Sequence, residues 1–442
     1  MAHPPPEDFL RLEHFGALYY SRRAAEFTAL TPPEAELLLD ARWSSLPEAW
    51  ARQSDGRLSE EKLLATAARW RELGLLDDDL RCRARLVPRR WNQPILTGPL
   101  TTHLQLTHAC NLTCSHCYVE VTKRPPPGEL SLAQLDGLFA ELEALASPRV
   151  VLAGGEPLLR ADVWEILEAL RAHRLDGWLC TNATFLKPQD AARLAGAGLR
   201  GVQVSLDGPS AEVHDAVRGA GRFEQALRGL RALLDAGVPG VEVRVTVNAL
   251  NAAHLEAFGA LALELGLPKT TFKPFRLTGA SSGQQRLVVE LPAYRRAVER
   301  AIASWPEGAG AVAASDGLTT RTPKWMNVIP PFGCVGGTVT ATVTAQGAVV
   351  GCGSVLTKDD WKLGAHSFAE CWAGAPNLAS WRTLEGNDAC RACANFRTCG
   401  GGCRARAVAV GRSMNEPDPW SHCNHPPAEH QDDGPRACEA AL

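Results

Sequence analysis

The stretch Thr107-His-Ala-Cys-Asn-Leu-Thr-Cys-Ser-His-Cys-Tyr118 carries three cysteines, Cys110, Cys114 and Cys117, spaced C-x3-C-x2-C. Thiolates this close together suit a soft metal or an iron–sulfur cluster. A [4Fe–4S] cluster is ordinarily held by four cysteines; held by three, it keeps one iron open to a small chelating ligand. The same residues also fit a zinc knuckle with His108 or His116 as the remaining ligand. The spacing alone leaves both readings open, and the rest of the chain has to separate them.

The bulk composition narrows the setting. A chain of 442 residues has room for two or three domains, and 45% apolar residues can fill sizeable cores. A net charge of −3 gives no electrostatic footprint for nucleic acid. The 14 cysteines are too dilute for a secreted disulfide scaffold, and their spaced groups read as cluster or metal ligation in a reducing compartment. The opening Met-Ala-His-Pro-Pro-Pro-Glu-Asp lacks the basic and apolar stretches of a signal peptide. No apolar run approaches membrane-spanning length. The expectation is a soluble cytoplasmic protein that binds neither nucleic acid nor membrane.

Upstream of the cysteines, residues 1–92 read as a small module. Phe15 to Leu30 is apolar and aromatic around a polar Ser-Arg-Arg centre, as in a β-hairpin. Thr31-Pro-Pro-Glu34 opens a helix with a capping box, and Ser44 and Ser59 can cap two more. Leu80 to Val87 is a closing strand. A hairpin with three helices predicts a winged-helix-like fold. A DNA-binding role is one reading of it, but 14 Lys and Arg stand against 15 Asp and Glu up to Asn92.

Residues 93–309 alternate between the two periodicities. Strands are expected at 102–107, 149–153, 177–181, 200–205, 241–247 and 270–275. Helices are expected at 131–146, 161–173, 188–196, 223–236, 252–265 and 291–304. βα units in series call for a parallel sheet with right-handed crossovers and chemistry at the carboxyl ends of the strands. Distinctive segments fall at those ends: Gly154-Gly-Glu-Pro157, Thr181-Asn-Ala-Thr184 and Ser205-Leu-Asp-Gly208. Each is also compatible with an ordinary turn, and Asp207 and Arg218 with a surface ion pair.

Residues 310–425 form a second cysteine field. Cys334, Gly347 and Cys352 read C-x12-G-x4-C, and Cys390, Cys393, Cys399 and Cys403 read C-x2-C-x5-C-x3-C, followed by Cys423. A treble-clef or ribbon zinc site is the alternative reading of this field. Cys371 reads as packing in a short helix, Cys82 and Cys180 as inert strand cysteines, and residues 426–442 with Cys438 as a flexible tail.

Taken together these motifs resemble the radical S-adenosylmethionine (SAM) enzymes that carry a SPASM domain, notably peptide maturases of the subtilosin A maturase type, whose products include sactipeptides and ranthipeptides. The resemblance implies an α/β fold with a partial (β/α)6 radical SAM barrel over 93–309 and a SPASM domain over 310–425. Residues 1–92 resemble the RiPP recognition element, which implies that they bind the leader of a precursor peptide as an added strand on the hairpin edge. Cys110, Cys114 and Cys117 would hold the SAM-binding [4Fe–4S] cluster. Gly154 and Gly155 would offer backbone close to SAM, and Glu156 would help hold its amino group. Asn182 lies in a segment similar to the family's TNGT, with Ala183 in place of glycine. Ser205 would contact the ribose, Arg218 would pair with the SAM carboxylate, and Tyr118 would lie near adenine.

The resemblance also implies two auxiliary clusters, making three [4Fe–4S] clusters in all. Cys390, Cys393, Cys399 and Cys423 would close one. Cys334, Cys352 and Cys403 would hold another through three thiolates only, with Cys371 as a conceivable further ligand. Sulfatase-maturing members carry a cysteine where this chain has Thr340 and an aspartate where it has Gly353, which argues against that activity. The implied chemistry is hydrogen abstraction from a precursor peptide by a 5′-deoxyadenosyl radical, then thioether or other crosslink formation. Flavodoxin or ferredoxin would supply the electron. Mycofactocin- or PQQ-type cofactor maturation and tetrapyrrole side-chain chemistry use similar architectures. A zinc-stabilised DNA-binding or scaffold protein is the non-enzyme alternative. No residue stands out as a general base.

Overall fold

The computed structural model describes residues 8–53, 59–314, 334–355, 361–382 and 399–421. It divides into two compact units. Among these residues the first runs to Gly98 and takes in Ala144–Ala146, and the second holds the remainder.

In the first unit, β1 (Phe9–Glu13), β2 (Gly16–Ser21), β3 (Glu26–Leu30) and β4 (Arg85–Val87) form a sheet in the order β3-β2-β1-β4. β2 and β3 are the expected hairpin. β1 is an addition, antiparallel to β2 and parallel to β4. The sequence hides it because Arg11 and Glu13 look like surface residues. Both are buried, and their side chains pair at 2.6 Å. Three helices join β3 to β4: α1 (Pro32–Asp40), α2 (Leu46–Gln53) and α3 (Glu60–Glu72). The Thr31 backbone N–H donates to Glu34 Oε2 at 2.9 Å, the reach-back half of a capping box. Ser59 Oγ caps α3 by accepting from the Lys62 N–H at 3.4 Å. Leu10, Leu38, Leu46 and Trp70 fill the core between sheet and helices.

The second unit is built on six parallel strands in sequential order: β5 (Thr101–Thr107), β6 (Arg149–Gly154), β7 (Asp176–Thr181), β8 (Gly201–Ser205), β9 (Glu242–Val247) and β10 (Lys269–Pro274). The helices between and after them are α4 (Leu132–Ala144), α5 (Val163–Ala172), α6 (Pro188–Gly196), α7 (Ala211–Arg218), α8 (Arg222–Asp235), α9 (Ala257–Leu265) and α10 (Leu291–Ala303). Their apolar spacing explains where they sit. In α5, for example, Val163, Ile166, Leu167 and Leu170 repeat at helical intervals and are buried. α7 is absent from the sequence reading, which expected no helix between 196 and 223.

The sheet extends past residue 309. β11 (Ala311–Ala314) pairs in parallel with β10, and β12 (Thr340–Val343) pairs in parallel with β5 at the other side. β13 (Val349–Val350) then adds antiparallel to β12. The cysteine field is thus joined to the same sheet through β12. It continues in α11 (Phe368–Gly374), α12 (Pro376–Arg382) and α13 (Arg404–Ala409). Cys371 is wholly buried in α11, as packing. Cys390, Cys393, Cys423 and Cys438 lie outside the described residues.

Side chains alternate between the faces of a strand. On β5 to β10 that alternation aims one polar set inward: His103 and Gln105, Cys180, Gln203 and Ser205, Arg244 and Thr246, and Lys273. The intervening Leu179, Val204, Val245 and Phe272 are buried in the core.

Candidate active site

The carboxyl ends of the strands open into a cavity of about 570 Å³, which is in the range of cofactor and substrate sites. Cys110, Cys114 and Cys117 line it, and so do Cys334, Cys352 and Cys403. Two sets of thiols far apart in sequence therefore face one space.

The first set sits on the loop after β5. Glu129 Oε1 accepts from both the Thr107 hydroxyl and the His108 N–H at 2.8 Å, which fixes the loop's start. The Cys110 N–H donates to Thr122 O at 2.8 Å, and the Ser115 N–H to Val217 O at 3.0 Å on α7. Leu112 N–H points at Cys110 Sγ at 3.4 Å. Burial pushes the Cys110 thiol up to about 11. A metal must therefore displace protons to bind there.

The paired glycines are required by this loop. Gly155 N–H donates to Thr107 O at 2.7 Å, and Glu156 N–H to Ala109 O at 2.8 Å. A Cβ on Gly155 would lie 2.2 Å from Ala109 O, and one on Gly154, whose φ is +120°, 2.4 Å from Thr107 O. Only bare backbone allows so close an approach.

Glu156 differs from the sequence expectation in placement. It is fully buried, and its carboxylate is absorbed by the protein: Oε1 accepts from the Thr181 hydroxyl at 2.8 Å and Leu158 N–H at 3.2 Å, and Oε2 from Asn182 N–H at 2.8 Å. Burial lifts it to about 7 against these donors. Its place in the structure is to bind the end of β7 to the glycine turn. Asn182, which does line the cavity, is locked in turn. Its amide donates to Asn111 Oδ1 at 2.9 Å, and its Oδ1 accepts from the Thr184 N–H at 3.0 Å.

Arg218 also lines the cavity, at the end of α7. Its Nε is 2.6 Å from Asp207 Oδ2, and its Nη1 is 3.9 Å from Cys114 Sγ. The pair is buried, so the surface-turn reading of these two residues is replaced by a charged support under the cysteine loop. Burial would push Asp207 up, but Arg218, His116 and the Thr246 N–H hold it down at about 2. His116 Nε2 lies 3.3 Å from Asp207 Oδ2, and burial pushes its ring down to about 4. This candidate zinc ligand is thus turned to Asp207. Among the described residues no three His, Cys, Asp or Glu side chains converge on a site for a single metal ion. Ser205, Tyr118, Gly154 and Gly155 line the cavity as well, and so do Thr340 and Gly353.

On the far side, burial and the neighbouring Cys403 and Cys352 push the Cys334 thiol up to about 12. Arg276 faces the three and bonds to Cys403, and their charge raises its own affinity for a proton. Cys399 is buried and does not line the cavity. Sequence reasoning missed Arg276, Arg244 and Lys273. The available signal was polar residues at every second place in otherwise apolar strands.

The donor set fits an iron–sulfur cluster with SAM beside it. Three soft thiols share one loop, a glycine cradle excludes side chains next to it, and the space beyond is large. Residues 104–259 match the radical SAM superfamily. The mycofactocin maturase MftC of Mycobacterium ulcerans is 33% identical over 342 residues, covering 73% of this chain and 88% of that protein. The AdoMet-dependent heme synthase of Nitratidesulfovibrio vulgaris is 28% identical over 340 residues, covering 73% and 91%. Streptococcus suis SuiB, solved bound to its precursor peptide SuiA, shares the fold with a TM-score of 0.71 at 15% identity, over 93% of this chain and 97% of that one. The cysteine loop, the glycine turn and these likenesses agree: the chain is an enzyme of the radical SAM superfamily.

Proposed function

We propose that this enzyme modifies a ribosomally made precursor peptide. The observation that carries the reading is the 33% identity to a mycofactocin maturase across most of both chains. The shared fold with SuiB along 93% of the chain is consistent with it. When bound, the cluster and SAM supply a 5′-deoxyadenosyl radical able to take a hydrogen atom from the substrate.

The chain's own residues bind and aim. Cys110, Cys114 and Cys117 would hold the cluster, and Arg218, steadied by Asp207, would pair with the SAM carboxylate. Gly154 and Gly155 offer backbone to SAM, with Asn182, Ser205 and Tyr118 around the nucleoside. Glu156 acts on SAM through the turn it fastens. Cys334, Cys352 and Cys403, with Arg276 beside them, hold an auxiliary cluster of the SPASM kind. Cys399 belongs to a second one, with Cys390, Cys393 and Cys423. In the first unit, among the described residues, β3 pairs with β2 on one side only in the order β3-β2-β1-β4, and its outer edge would receive a leader strand. A flavodoxin or ferredoxin supplies the electron. Proximity of the reacting carbon matters more here than acid–base work. The bond made is a thioether from a cysteine sulfur to carbon, or another crosslink. Mycofactocin-type oxidation is the second reading, favoured by the same relative.

The test is anaerobic incubation of reduced, iron-replete protein with SAM and a candidate precursor peptide, followed by mass spectrometry. Loss of a hydrogen pair from the peptide supports crosslinking. Consumed SAM with an unchanged peptide, leader present, overturns the peptide reading.

A further inference from the structure

Among the described residues the cavity is lined by four Arg and Lys side chains, Arg218, Arg244, Lys273 and Arg276, and by no Asp or Glu. Two of the four already have protein partners. Arg218 has Asp207 at 2.6 Å, and Arg276 faces the thiols of Cys334, Cys352 and Cys403. Arg244 and Lys273 remain. They stand on adjacent parallel strands, β9 and β10, where Arg244 registers with Thr271 and Thr246 with Lys273. The two inward side chains are therefore diagonal neighbours on one face.

One carboxylate, Glu242, is all that the described residues set beside the two, and Arg244 shares it with Lys269. Arg244 Nη2 is 3.4 Å from Glu242 Oε2, a loose contact. Glu242 lies deeper on the same inward face of β9 and is already shared with Lys269 at 3.5 Å and with the Thr271 hydroxyl. Arg244 Nε is enclosed and has no acceptor. Among the described residues no carboxylate lies within ion-pair distance of Lys273. Burial, then Arg244, depress the Lys273 ammonium to about 8. Adjacent like charges in a shielded space are costly unless an anion joins them. Among the described residues Glu242 alone is near, and it leaves the pair with excess positive charge, so the further anion comes with a ligand. A planar guanidinium beside a point-charge ammonium suits a carboxylate.

We infer that Arg244 and Lys273 form a subsite that receives a carboxylate of the substrate and so sets which end of it faces the reacting carbon. The inference deepens the peptide reading and rests on it for the nature of the substrate. The carboxylate is either a chain terminus or an acidic side chain. SAM carries a carboxylate too, and the test separates that source.

The experiment uses the anaerobic, iron-loaded full-length protein with SAM. It is offered a tetrapeptide pool in three forms: free C-terminal acids, C-terminal amides containing aspartate, and C-terminal amides without any acid. A tetrapyrrole bearing propionates is offered separately. Retention is read by ultrafiltration and mass spectrometry. At least one acid-bearing form is expected to be retained about tenfold more than the acid-free amides, the scale of one charged hydrogen bond. Arg244→Gln and Lys273→Met should each bring that preference to within about twofold, while Arg244→Lys keeps part of it. Iron content and SAM affinity report that the variants are folded and loaded, and both should stay within about twofold of wild type. Equal retention of acids and amides by the wild type overturns the subsite. So does a preference that survives both substitutions, or retention of no probe at all. Loss of SAM affinity in the two variants hands the pair to the SAM carboxylate and likewise overturns it. Retention of the tetrapyrrole alone, dependent on Arg244 and Lys273, supports the subsite and removes the peptide reading.

Discussion

Asp207 is the residue on which most of the site's charge balance turns. It is fully buried and holds Arg218, which in turn reaches Cys114. Asp207→Asn leaves a guanidinium unpaired in the interior, at a cost of about 3 kcal/mol in a denaturant titration of the apo-protein. Its folded value of about 2 lies below the ordinary 3.8. The pair's contribution, about 2 kcal/mol, is therefore complete above pH about 4 and lost as pH falls towards 2. Acid unfolding of wild type and Asp207→Asn should converge over that window. Ala183 offers a test of opposite sign. Its φ of +57° is left-handed, where the sequence already showed alanine in place of a glycine. Ala183→Gly should stabilise by up to about 1 kcal/mol, read in the same titration. The cysteines and the glycine turn were legible because their spacing is their function. Arg11, Glu13, Arg244 and Lys273 were not, because a polar residue in a strand looks solvent-exposed until its partner or cavity is known.

At the scale of elements, periodicity located all six central strands to within a residue or two, since each is an apolar run ended by turn residues. It missed β1 and β12 for different reasons. β1 carries a buried ion pair. β12 is four residues long and pairs with β5, far away in sequence, and nothing local announces such a partner. The turn that ends β6 is where element and site meet. Gly155→Ala would drive a Cβ to 2.2 Å from Ala109 O, against rigid backbone rather than a movable side chain. The expected result is loss of about one cluster's worth of iron from reconstituted protein with an unchanged circular dichroism spectrum. Iron content equal to wild type would show that the loop can give way. Glu156→Gln should act similarly, because two backbone N–H groups and a hydroxyl converge on its oxygens and an amide must turn a donor towards one of them.

The second unit as a whole brings thiols from residues 110–117 and from residues 334–403 to one cavity, with cationic side chains between them. No local reading of either cysteine group predicts that meeting; it follows from β12 returning to the edge of β5. The account's central claim is that Cys110, Cys114 and Cys117 leave one iron for SAM. The most direct measurement is the yield of 5′-deoxyadenosine from SAM under dithionite, using anaerobic iron-loaded protein. Wild type should form it, and the Cys110→Ala, Cys114→Ala, Cys117→Ala triple variant should form none while keeping iron at its remaining cysteines. Bound zinc with no 5′-deoxyadenosine from the wild type, or product undiminished in the triple variant, would contradict the account.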